Sequence, residues 1–339
     1  MENIAVFSPK EPRSRIQRAM RYGWGRLLQR QELFVALVLL GIGVALSLST
    51  STFFTNANLL NVALGLSWYV IAAFGAAIVI IVGGIDLSVG STIALSGMVC
   101  AMALQQGLGV PAALLLGLLS GAAIGLANGL LVGHTRLPPF MVTLGTMGIT
   151  RGLVLSLTGG APVSRLPAPF LFLGQGELTL GWLAVPLPIV WMLLVAVAVS
   201  VLFHQTVLGR YIFTIGRDER AMLAAGISPA HLKTVAYTIS GMLAALAGLV
   251  MVARLGVAAP MAAYGYELDI IAAAVIGGAS LFGGEGSVTG VILGAALIQI
   301  MRNGVVLLGL PNQNQWQFVS IGGMVLLVLL LDFWRRRRA

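Results

Sequence analysis

The chain has 339 residues, of which 58% are hydrophobic and only 9% charged. Soluble domains carry about 25% charged residues, so this composition excludes an ordinary globular enzyme and describes a chain solvated mainly by lipid. The formal net charge of +9 sits largely at the two ends, which excludes a nucleic-acid-binding face, and the single cysteine, Cys100, excludes a disulfide framework.

Residues 1–30 form a basic N-terminal arm with seven Lys/Arg, predicted to be cytoplasmic. Ile16, Met20, Trp24 and Leu27 recur in it at helical spacing, which predicts an amphipathic helix on the membrane surface. The apolar run that follows lacks a small-residue cleavage site, so the arm is not read as a signal peptide. Ten apolar segments come next, at about 31–50, 61–82, 89–106, 111–133, 140–158, 187–204, 234–254, 267–282, 286–303 and 316–333. The expected fold is all-α: a polytopic membrane helix bundle of about ten transmembrane helices, with short or broken helices near the junctions. Its transmembrane permease domain covers 31–333, and a basic cytoplasmic tail covers 334–339.

Ten crossings from a cytoplasmic N-terminus return Arg335 to Arg338 to the cytoplasm. Sixteen Lys/Arg then lie inside, against four outside or within spans (Arg151, Arg165, Arg254 and Arg302). Residues 159–186 are expected to form a periplasmic loop, and residues 205–233 a charged cytoplasmic one. Within the latter, Arg217 to Ala225 has helix-forming residues with acids in its first turn. Gly226 supplies the stop, and Ser228-Pro229 supplies a fresh N-cap and first helical position. Gly83 to Leu87 is faintly echoed by Gly277 to Leu281, each followed by a Gly-Ser pair.

Chemistry-bearing residues are few. Lys10 and Lys233 are the only lysines, and neither follows a phosphate-binding glycine loop. Any ATP is therefore used by partner subunits, and no cofactor or metal is expected on this chain. His134, His204 and His231 all fall at cytoplasmic ends of segments, which leaves no intramembrane protease constellation and argues against an enzyme. Asp86, in GGIDLSVGST, reads as a cap accepting the amide of Ser88 or Val89, or alternatively as a group beside a permeation path. Glu267 and Asp269 open the eighth segment as dipole partners, while Arg151 lies deep in the fifth and is expected to snorkel or pair with an acid. Asn128, Thr143, Thr146 and Asn303 join Asp86 and Ser88 as candidates for lining a path, with helix–helix hydrogen bonding the competing role. An ion-coupled secondary transporter of small solutes is the alternative class, disfavoured by the scarcity of deep charges.

Four stretches carry a family likeness in order and spacing: Gly83 to Ser91, Pro138 to Leu153, Gly209 to Gly226 and Gly265 to Gly290. Through them residues 60–333 resemble the monosaccharide-type permeases of bacterial ATP-binding-cassette importers, the group of the ribose, xylose, arabinose and galactose systems. The resemblance implies a permease subunit in the inner membrane for a monosaccharide or similar neutral polyol-type solute. It also implies a second permease copy or paralogue, a cytoplasmic ATPase, a periplasmic sugar-binding protein, lipid surroundings and no nucleic acid. The 205–233 loop would hold the ATPase-coupling helix, formed or shaped by Gly216, Arg217, Asp218, Glu219, Ala221 and Gly226. The family usually reads Gly-Gly-Asn where this chain reads Gly216-Arg217-Asp218.

Overall fold

The helices follow the apolar runs, because a backbone in lipid must satisfy its own hydrogen bonds. The computed structural model describes residues 31–135, 137–181 and 183–338. The basic arm 1–30, with its predicted amphipathic helix, lies outside the described residues. In chain order, α1 (Gln31–Ser49), α2 (Asn56–Ile81), α3 (Val89–Gln105), α4 (Val110–His134) and α5 (Pro139–Thr158) come first. A short α6 (Ala168–Gln175) leads to an antiparallel hairpin of β1 (Glu177–Leu180) and β2 (Leu183–Pro186). Then follow α7 (Leu187–Gln205), α8 (Val207–Arg217), α9 (Glu219–Ala224), α10 (Pro229–Leu255), α11 (Tyr266–Ile276), α12 (Val288–Leu307) and α13 (Gln313–Arg338).

Every predicted apolar segment falls on a helix, though not all ten helices are long and apolar enough by themselves to cross a membrane. Seven described helices are long and apolar enough to cross a membrane: α1, α2, α4, α5, α7, α10 and α12. The bundle is thus all-α and multi-span. α3 has 17 residues and α11 only 11. Eleven residues rise about 16 Å, roughly half the hydrocarbon thickness. The eighth segment, predicted over 267–282, stops at Ile276 because Gly278 turns to φ +102°. The 159–186 stretch, expected as a loop, folds α6 and the hairpin from its Pro and Gly punctuation. At the other end α13 runs unbroken through Arg338, so the basic tail continues the last helix.

The centre of the bundle is α2, whose residues from Ser67 to Ile81 are all buried, as an all-round apolar helix requires. Beside it, α10 packs along α4 through a stripe of glycines at four-residue spacing: Gly117, Gly121, Gly125, Gly129 and Gly133. A Cβ at Gly129 would stand 2.6 Å from the Thr234 Cα, and one at Gly133 would stand 2.6 Å from the Ala230 carbonyl oxygen. Small residues at this spacing let two backbones touch, the source of helix association where lipid offers no hydrophobic drive.

The sequence echo has a structural counterpart. Gly83 and Gly278 both take positive φ directly after a helix, and both chains then enter a new helix after Ser88 or Ser287. The two junctions also meet, since the Gly284 amide donates to the Ile81 carbonyl at 2.8 Å.

Candidate functional site

Four of the six predicted path residues converge where the chain reverses between α2 and α3. Asp86 is buried and accepts from the Ser88 amide at 2.9 Å and the Ser88 hydroxyl at 2.6 Å. Its second oxygen accepts from Ser240 of α10 at 3.3 Å. Asn128 of α4 donates to the Ser88 hydroxyl at 2.9 Å. Thr143 of α5 accepts from the Leu87 amide at 3.1 Å and donates to the Ile85 carbonyl at 3.0 Å. Tyr237 also donates to that carbonyl, at 3.3 Å. The predicted acceptance of the Ser88 amide by Asp86 is present, while Ser88 rather than Asp86 occupies the N-cap position of α3. A buried carboxylate is costly unless donors surround it, and three donors do so here. This knot therefore fixes non-helical backbone inside the bundle, where free peptide groups are otherwise forbidden. Ser240 and Tyr237 were missed because nothing local on α10 marks them.

The other two candidates lie elsewhere. Thr146 bonds only its own helix, donating to the Val142 carbonyl at 3.0 Å. Asn303 exchanges amide hydrogen bonds with Asn58 at 2.7 and 3.1 Å, the helix–helix role, and also lines a cavity. That cavity has a volume of about 570 Å³ and lies among α2, α10, α11, α12 and α13. Amides of Asn58, Asn61, Gln299 and Asn303 share its wall with the rings of Trp68 and Tyr266, whose centroids are 5.4 Å apart. Gly65 makes room for the Gln299 amide, which a Cβ there would overlap.

Two ion pairs hold α11 beside this cavity. Glu267 and Asp269 do open its first turn, but each also meets a base from a distant helix. Arg151 of α5 lies 3.5 Å from Glu267 and donates to the Pro260 and Ala262 carbonyls, both at 2.9 Å. Arg302 of α12 pairs with Asp269, donates to Gln317 at 2.9 Å and lies 3.8 Å over the Tyr266 ring. Arg254 also lines the cavity and forms no ion pair among the described residues. The expected pairing of Arg151 is thus present, and Arg302 is a second buried base that the sequence did not single out.

The predicted coupling residues divide into an inner and an outer set. Gly216 abuts the Ile81 carbonyl and Gly284, and the Arg217 Nε donates to the Gly284 carbonyl at 3.1 Å. The helix expected over 217–225 is broken: Arg217 ends α8, and Asp218 caps α9 by accepting the amides of Arg220 and Ala221 at 2.9 and 3.0 Å. A capping aspartate competes with the helix it would otherwise continue, which is why the break falls there. Asp218, Glu219 and Ala221 are exposed, and Glu219 pairs with Lys233 at 2.8 Å. Gly226, at φ +77°, closes α9. Its amide bonds the Leu223 carbonyl and the Ile227 amide bonds that of Met222, a Schellman ending.

Comparison with known proteins gives this architecture a family. A family model described as "Branched-chain amino acid transport system / permease component" matches residues 58–330. The ribose import permease of Escherichia coli (strain K12) is 38% identical over 312 residues, covering 90% of this chain and 94% of the relative. The ribose import permease of Bacillus subtilis (strain 168) is 38% identical over 308 residues, covering 90% and 93%. The D-allose transport system permease of Escherichia coli (strain K12) is 37% identical over 287 residues, covering 84% and 86%. No solved structure matches the chain. The chain belongs to this family of ABC importer permeases: it is a non-catalytic, multi-pass inner-membrane component that acts with separate ATPase subunits.

Proposed function

We propose that this permease carries a neutral monosaccharide or similar polyol, received from a periplasmic binding protein, through the amide- and aromatic-lined cavity between α2 and α10–α13. The wall of that cavity carries the reading. Asparagine and glutamine side chains offer donors and acceptors together, the pairing that vicinal hydroxyls require, and Trp68 and Tyr266 offer flat apolar faces for the carbon side of a sugar ring. The family model's description names branched-chain amino acids, but the ammonium of a zwitterion is held best by an anionic partner. The described residues lining the cavity include no carboxylate, and nearby Asp269 is already held by Arg302.

In the same reading α3, α11 and α13 complete ten crossings, with both termini cytoplasmic, and the permease works as a pair of copies. The junction knot of Asp86, Ser88, Asn128 and Thr143 is then scaffolding and the cavity is the route. The 205–233 segment is the coupling loop, with Asp218, Glu219 and Ala221 on its outer face and Gly216, Arg217 and Gly226 shaping it.

Reconstitution with the cognate ATPase and binding protein tests this. ATP-driven uptake of a labelled pentose or hexose is expected, and Gln299→Leu is expected to lower it about tenfold, the loss of roughly one hydrogen-bonding group of 1.4 kcal/mol. Accumulation by the isolated permease under a proton or sodium gradient, or full uptake by Gln299→Leu, would contradict the proposal.

A further inference from the structure

The turn between α11 and α12 is tightly built and firmly mounted. Gly283 and Gly284 take positive φ, +84° and +74°. The Gly283 amide donates to the Ser280 carbonyl at 2.8 Å, the Ser280 amide to the Glu285 carbonyl at 3.1 Å, and the Phe282 amide to the Ser280 hydroxyl at 3.3 Å. Through Gly284 the turn is bonded to the end of α2 and to Arg217 at the α8–α9 corner. At its tip Phe282 is 95% exposed, with Leu281 half exposed beside it. An aromatic side chain on a pinned backbone has little conformational entropy left to lose on binding, which is the property of an interface anchor.

The surroundings identify what covers it. Glu285, Arg217, Asp218, Glu219 and Arg220 are all exposed near this corner, so Phe282 stands in a charged, watery setting and not in hydrocarbon. The adjoining α9 has only six residues, with Leu223 as its exposed large apolar side chain. A specific protein interface takes about 800 Å² from each partner, more than one such helix presents. A cytoplasmic ATPase docked on α9 must therefore extend over neighbouring surface, and the Phe282 turn is bonded directly to that surface.

We propose that Phe282 is a second docking anchor for the ATPase, seated in an apolar pocket of that subunit beside α9. The proposal rests on the reading of α8–α9 as the coupling element. The charged rim around Phe282 gives the partner pocket its expected form: apolar at the centre, with charges of both signs around it.

The test uses the full permease in nanodiscs and its ATPase. Phe282→Asp is expected to insert normally, because the side chain is 95% exposed among the described residues, and to bind the ATPase at least about tenfold more weakly. Phe282→Leu is expected to retain most of the affinity. With Cys100→Ser as background, Phe282→Cys is expected to crosslink to the ATPase. Unchanged affinity in Phe282→Asp would overturn the proposal. So would crosslinking to a second permease copy, or quenching of a Phe282→Trp variant by brominated lipid. Gly226→Val separates the two readings, since a β-branched residue at φ +77° distorts α9. If that variant loses the ATPase while Phe282→Asp keeps it, the coupling reading stands and Phe282 is not an anchor. If both keep it, both readings fall.

Discussion

Arg302 and Asp269 show how this bundle tolerates charge. Each is buried and paired with the other, with Gln317 and the Tyr266 face also against the guanidinium. Breaking such a pair from one side strands the remaining charge, at a cost of about 3–5 kcal/mol. Arg302→Leu is therefore expected to lower the thermal unfolding midpoint of the detergent-solubilised permease markedly, and adding Asp269→Asn is expected to restore much of the loss. A double variant no more stable than Arg302→Leu alone would show that the pair is not the stabilising unit. Glu267 and Asp269 were legible as first-turn acids and Arg151 as a base that could pair with an acid, but which acid it meets, and the role of Arg302, were not. Arg151 and Arg302 come from α5 and α12, and only the packing of these helices brings them to α11.

At the scale of elements, the contact of α4 with α10 depends on the absence of side chains. Gly129→Val would drive atoms into the Thr234 backbone, and overpacking of a close contact costs about 1–3 kcal/mol or displaces the helix. Its folded yield in membranes is expected to fall well below that of Gly41→Ala on α1, where the added Cβ meets nothing within 4 Å. Equal yields would remove α4–α10 packing as the reason for the stripe. Among the described residues the apolar helices were readable because apolar runs are long and polar breaks are short, whereas α6, in a stretch expected as a loop, was not. Helix ends were less so: Asp218 stops one helix and caps the next, and that competition is settled by the docking of Gly216 and Arg217 on the Gly284 turn.

For the whole molecule, orientation is the first property to measure. Single cysteines at Glu177 and Glu219 in a Cys100→Ser background are to be labelled in intact cells by an impermeant thiol reagent. Labelling is expected at 177, on the strand of the hairpin, and not at 219, on exposed α9. The opposite pattern would reverse the topology and move the α9–Phe282 surface to the wrong side for an ATPase.

Composition, hydropathy and the distribution of basic residues determined by themselves that the chain is a multi-span helical membrane protein, and its two lysines that it carries no phosphate-loop motif, because transfer energies and motif spacing are local properties. Four junction residues, Asp86, Ser88, Asn128 and Thr143, were recognisable as unusual for the same reason: a polar group in an apolar run is conspicuous wherever it ends up. Only the tertiary structure decided that these four form one knot, that Asn303 meets Asn58 beside a cavity, and that Phe282 stands exposed on a turn bonded to the end of α8. Those facts depend on how helices far apart in sequence rotate and slide against one another. That register is set by backbone contact at the glycines and by burial around α2, which no single segment encodes alone.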